Sequence, residues 1–141
     1  MTLTSFARIF GIVFLLAGLS GFVPGISPPH NHPGLNVNAG SALAMGLFPV
    51  NVLHNIVHLL FGVWGLIAAR SMGAARLYAR AVAVIYGALT VMGLIPLTNT
   101  TFGLVPIYGN DVWLHALLAA VAAYFGFVHS ERAAGEAARR A

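Results

Sequence analysis

The decapeptide NVLHNIVHLL, residues 51–60, sets Asn51, His54, Asn55 and His58 among valine, leucine and isoleucine alone. At 100° per residue these four polar side chains span an arc of about 100° on one helix face. A second polar run, NDVWLH at 110–115, holds Asn110, Asp111 and His115, the last two again four residues apart. Imidazole nitrogens and a carboxylate form a ligand set suited to zinc, iron or manganese. His54, His58, Asp111 and His115 are therefore the candidate metal ligands, with Asn51, Asn55 and Asn110 as supporting polar groups. The spacing admits two other uses. His58 and His115 have the chemistry of axial ligands to haem b, as in an electron carrier. The whole cluster also suits a purely structural role, fixing helix register at about 0.6 kcal/mol per pair. The metal site ranks ahead of haem, which leaves His54 and Asp111 without a role.

Other chemistry is scarce. The chain has no cysteine and three carboxylates, Asp111 and two in the C-terminal tail. Thiolate catalysis, phosphate loops and the G-x-S-x-G hydrolase signature are all missing, so an enzyme is the less favoured class. His30 and His32 in PPHNHPG offer ligands for surface copper or zinc, but a Pro-rich loop is the plainer reading. His129, Glu131 and Arg132 fall where solvent is expected.

These residues must be positioned by membrane helices. Of 141 residues, 59% are hydrophobic and 7% charged, and mean hydropathy is +0.86. No formal charge occurs between Arg8 and Arg70, between Arg80 and Asp111, or between Asp111 and Glu131. A membrane-spanning helix needs about 20 apolar residues. The first interval holds two spans and a loop, and each of the others holds one. Helices are thus expected near 5–23, 50–69, 77–95 and 112–128, with Pro24 and Pro96 ending the odd ones. The segment 70–76 reads as a short basic turn, and 131–141 as a polar tail. The N-terminal apolar run lacks an A-x-A cleavage site, so it is assigned to helix 1 rather than to a signal peptide.

With four crossings, all seven arginines lie on one side, which puts both termini in the cytoplasm. They sit at segment ends and form no basic face, so nucleic acid is not an expected partner despite a net charge of +4. Arg8 and Arg80 read as snorkelling anchors. Tyr108 and Trp113 read as an aromatic belt, and Trp64 is expected toward lipid.

The chain repeats itself. FARIFGIVFLLAGLSGFVP (6–24) aligns without a gap to YARAVAVIYGALTVMGLIP (78–96), and GLFPVNVLHNIVH (46–58) aligns to GLVPIYGNDVWLH (103–115). The expected architecture is an all-α, four-transmembrane-helix bundle in a single domain, 1–141. It comprises two parallel pseudo-symmetric hairpins, 5–70 and 77–130, the first with the longer loop. The alignment sets His58 opposite His115 and His54 opposite Asp111. Gly62, Gly65, Ala119, Ala122 and Gly126 continue the two faces as small residues that let helices approach. Small-residue spacing at Ala116/Ala120 and Ala119/Ala123 permits a homo-oligomer.

The runs Asn51-x-x-His54-Asn55-x-x-His58 and Asn110-Asp111-x-x-Leu114-His115, within GLFPVNVLHNIVHLLFGVWGLIAAR and FGLVPIYGNDVWLHALL, resemble the bacterial membrane family known as domain of unknown function 4383. The resemblance extends from the first helix through the fourth. It implies a four-helix protein of the bacterial plasma membrane and leaves its activity unassigned.

Overall fold

The computed structural model describes residues 1–129. The tail 131–141, including Glu131, Arg132, Arg139 and Arg140, lies outside the described residues. Four helices dominate: α1 (Leu3–Ser20), α2 (Val52–Ala68), α3 (Met72–Leu94) and α4 (Asn110–Ala123), the last running into a π-helical turn at Tyr124–Val128. Between α1 and α2 lies a small antiparallel hairpin of β1 (Ala42–Ala44) and β2 (Phe48–Val50).

Helix ends follow local capping chemistry. Thr2, Asn51 and Ser71 each accept a bond from the backbone N–H three residues on, starting α1, α2 and α3. Ser71 begins α3 inside the segment read as a basic turn, so only Ala69–Ser71 separates α2 from α3. Ile95, held extended before Pro96, ends α3 as expected for a pre-proline residue. Pro24 does not play that part for α1, which stops at Ser20 before the turn through Gly21 and Phe22.

Three segments, α1, α3 and Asn110–Val128, are long and apolar enough to cross a membrane. With 17 residues, α2 is shorter, roughly 26 Å against a hydrocarbon layer of about 30 Å. It packs antiparallel along α1 through small residues. A Cβ on Gly11 would stand 2.9 Å from the Gly62 carbonyl oxygen and the Leu66 amide nitrogen. One on Gly65 would stand 2.9 Å from the Ala7 carbonyl oxygen, and one on Gly21 would run into the Asn55 amide. The main partner of α3 is α4, where Gly93 abuts Ile107 and Val112.

Aromatic side chains fill the centre. Phe6 stacks on Phe125 with centroids 4.7 Å apart, and Phe14 lies 5.3 Å from Tyr86. The Tyr78 hydroxyl donates to the Phe61 carbonyl, closing off the polar tip of a buried ring. Trp64 is half-buried and edge-on to Tyr78 at 5.2 Å, not turned fully to lipid. Ala119 and Ala123 pack against this core, leaving Ala116 and Ala120 as the more outward of the two small-residue pairs.

Arg8 is exposed beside the start of α1. Arg80 does more than snorkel: its Nε donates to the Gly126 carbonyl at 2.9 Å, and its guanidinium lies 5.3 Å from the Phe127 centroid. A Cβ on Gly126 would crowd the Arg80 backbone, so this glycine lets the π-helical turn pack closely on α3.

The α1–α2 contact yields a direct expectation. Gly11→Ala should lower stability in detergent by about 1–3 kcal/mol, because backbone stands where the methyl must go. Gly73→Ala, with open space around it, should be neutral or stabilise by up to about 1 kcal/mol. Thermal melts of the two variants beside the parent check the contrast.

Candidate metal centre

The site lies at the end of the bundle that carries the α1–α2 and α3–α4 connections. Three backbone devices hold it there. First, Asn51 caps α2 by accepting from His54 N–H, while its Nδ2 donates to the carbonyls of Val37 and Leu104 at 2.9 and 2.7 Å. One buried amide thus joins both connections to the start of α2. Second, the two connections bond directly, with Asn36 N–H donating to the Gly103 carbonyl. Third, the extra length of the first loop folds into the β1–β2 hairpin and a His32 anchor. His32 is 1% exposed; its Nε2 donates to the Ala42 carbonyl at 2.8 Å, and its Nδ1 lies 2.7 Å from the Tyr108 hydroxyl. Burial raises the Tyr108 phenol above its ordinary range, which keeps its proton available to His32.

His32 is therefore a fastener with both ring nitrogens engaged, not a surface ligand. Tyr108 belongs to the same fastener, and Trp113 is exposed. His30 lies 5.0 Å from the His32 ring on the exposed side.

Below this cap, His54, His58 and His115 converge. Each offers a ligand nitrogen, and the three lie within 4.8 Å of one another. Exposures are 3%, 8% and 2%. Ring centroids of His54 and His58 stand 4.5 Å apart, and those of His54 and His115 stand 6.1 Å apart. Asp111, 1% exposed, stands one step behind. Its Oδ2 approaches His115 Nε2 at 3.5 Å along α4, so its polar neighbour is His115 rather than His54.

Hydrogen bonding distinguishes the ring nitrogens. His54 Nδ1 faces the Pro49 carbonyl at 3.1 Å. A carbonyl only accepts, so this nitrogen carries the proton and Nε2 keeps its lone pair. For His115, Nε2 faces the carboxylate, while the buried Nδ1 has no hydrogen-bond partner. His54 and His115 thus each turn one nitrogen to an oxygen, as second-shell oxygens orient metal-bound histidines.

The supporting asparagines separate. Asn51 is the clamp already described. Asn55 is fully buried against α1 beside Gly21, and both its amide atoms lack a hydrogen-bond partner. Asn110 is exposed and reaches only the Leu47 carbonyl, at 3.4 Å. Gly62 faces α1, where Leu15 and Gly11 occupy the space beside it. No room for a macrocycle opens there.

Two aromatic residues of the site escaped the sequence reading. Tyr86 stands edge-on to His115 at 4.8 Å, and Phe14 stacks on His58 at 5.6 Å. The repeat held the signal, because these two aromatic residues align with each other.

With the geometry described, comparison with known proteins adds one result. A family model described as Domain of unknown function (DUF4383) matches residues 5–128. The chain belongs to this family. In this DUF4383 protein the match takes in nearly all of α1 and runs to the end of the π-helical turn, including every residue of the site. No curated protein and no solved structure matches the chain.

The clamp can be tested apart from any ligand. Asn51→Ala removes a helix cap and two buried bonds, and should cost about 2–4 kcal/mol. Asn110→Ala should change stability by less than about 0.5 kcal/mol. Chemical denaturation of both variants in detergent gives the comparison.

Proposed function

We propose that this protein binds a metal ion within the membrane through His54, His58 and His115, with Asp111 orienting His115 from behind. One observation carries the reading: three buried imidazoles whose ligand atoms lie within 4.8 Å. Nitrogens on one zinc ion, at about 2.1 Å from it, stand about 3.4 Å apart in a tetrahedron. Modest side-chain rotations close the difference. Three imidazoles with an open fourth position suit zinc or iron. Manganese prefers more oxygen ligands and fits less well with the carboxylate set back.

Haem b is the poorer fit. The cavity beside the three imidazoles holds about 220 Å³, below the roughly 300 Å³ at which pockets for drug-sized ligands begin. The purely structural alternative is also weakened. A cluster selected only for packing satisfies its own polar atoms, whereas His115 Nδ1 and Asp111 Oδ2 are buried without hydrogen bonds.

The same reading takes the fold as two copies of one hairpin crossing the membrane four times. Matched contacts support it. Phe14 on His58 corresponds to Tyr86 on His115, and Gly21 against Asn55 corresponds to Gly93 against Val112. The adjacent pair His54–His58 corresponds to Asp111–His115. On this topology the arginine end faces the cytoplasm of a bacterial cell, and the metal lies in the opposite half of the bilayer. Ala116 and Ala120 then offer the contact for a second copy.

The test is elemental analysis of protein purified gently in detergent, followed by zinc titration after chelation. The expected result is one zinc or iron per chain, lost in His58→Ala and His115→Ala. Asp111→Asn should retain the site with affinity weakened about 10- to 100-fold. If these variants lower thermal stability while neither parent nor variant holds a stoichiometric ion, the structural alternative is correct.

A further inference from the structure

The cavity beside the imidazoles opens sideways. Of its lining residues, Val57 on α2 and Ile85 on α3 are 38% and 40% exposed, which puts an approach to it between these two helices. Each of these helices has its main partner elsewhere, α2 with α1 and α3 with α4, so the seam between them is thin. Val57 is the sixth residue of α2, about 8 Å below the helix start. In a bilayer that depth is hydrocarbon. Most of the walls, including Phe61, Leu89 and Ile107, are apolar, and the polar side chains among them are the three imidazoles, Tyr86 and Thr101.

Such a shape excludes most ligands. A water-soluble anion or sugar gains nothing from the walls, and a bare alkyl chain leaves the imidazole nitrogens unpartnered. A volume of about 220 Å³ holds one substituted six-membered ring, since an apolar cavity of about 150 Å³ holds benzene. Tyr86 and Phe61, at 89° to each other, offer aromatic surface. The proton positions narrow the choice further. His54 Nδ1–H is directed to the Pro49 carbonyl, which leaves its Nε2 as an acceptor, and His115 Nδ1 is buried with no hydrogen-bond partner. They call for an O–H donor.

We infer that the cavity takes a lipid-dissolved phenol or hydroquinone, entering between α2 and α3 with its ring against the apolar walls and its hydroxyl donating to the histidines. The inference shares the histidines with the metal reading but does not depend on it. In the presence of an ion, the same oxygen reaches its open coordination position.

The experiment uses the full chain in lipid nanodiscs, zinc-loaded and chelator-stripped, with radiolabelled decyl-hydroquinone under anaerobic conditions. Saturable binding of about one ligand per chain is expected in at least one of the two forms. The dimethyl ether, which keeps the ring and tail but donates no hydrogen bond, should bind at least tenfold more weakly. Val57→Trp and Ile85→Trp fill the mouth without touching a histidine. Each should abolish binding while leaving zinc stoichiometry and melting temperature within error of the parent. Two variants on different helices guard against a misfolded one. Equal binding of hydroquinone and ether, partitioning that never saturates, or undiminished binding in both tryptophan variants would overturn the inference. Hydroquinone binding by a chain that takes up no stoichiometric zinc or iron would sink the metal reading alone.

Discussion

A polar atom inside an apolar bundle must find a partner or destabilise the fold, and this chain places three imidazoles and a carboxylate in such an interior. An unpaired ionisable group there costs at least roughly 2.5–3.5 kcal/mol. The rest of the structure serves to bring those groups into reach of one another. Glycine-mediated contact draws α2 onto α1 and turns His54 and His58 toward α4. The Asn51 amide then fixes the height of α2 against both connecting loops. Asp111 enters from the first turn of α4, where a carboxylate is also favoured by the helix dipole.

Two populations of buried polar residues follow. Asn51, His32 and Tyr78 donate to backbone carbonyls, and their work is mechanical. His115 Nδ1 and Asp111 Oδ2 lack hydrogen bonds. Position, more than burial or hydrogen bonding, separates the two groups, since Asn55 is also buried without hydrogen bonds and lies against the end of α1 instead. The apolar cleft leading to the second group gives it a route to hydrocarbon, and that sets the kind of molecule able to approach.

Much of this was legible in the sequence because membrane helices announce themselves by length. Arginines bracket the apolar intervals, and all four helices lie within a few residues of the expected ranges. Aligning the two halves of the sequence sets His58 opposite His115, and the structure brings these two rings together with His54. Less visible were features set by single local interactions. Ser71 starts α3 five residues early through one side-chain cap, and α1 ends at Ser20 without help from Pro24. The fold of the Pro-rich loop depends on pairing across distant residues, His32 with Tyr108 above all. No periodicity reports such a pairing. The partner of Asp111 was misjudged for a related reason: symmetry predicts which positions correspond, but side-chain reach decides which of them touch.

The central claim is that His54, His58 and His115 meet at one point. X-ray absorption at the edge of zinc bound to the full chain in nanodiscs measures this directly, because imidazole rings leave a distinct outer-shell scattering pattern. Three imidazoles and one further light ligand at about 2.0–2.1 Å are expected. A shell made of oxygen alone, or one with fewer than three imidazoles, would contradict the claim.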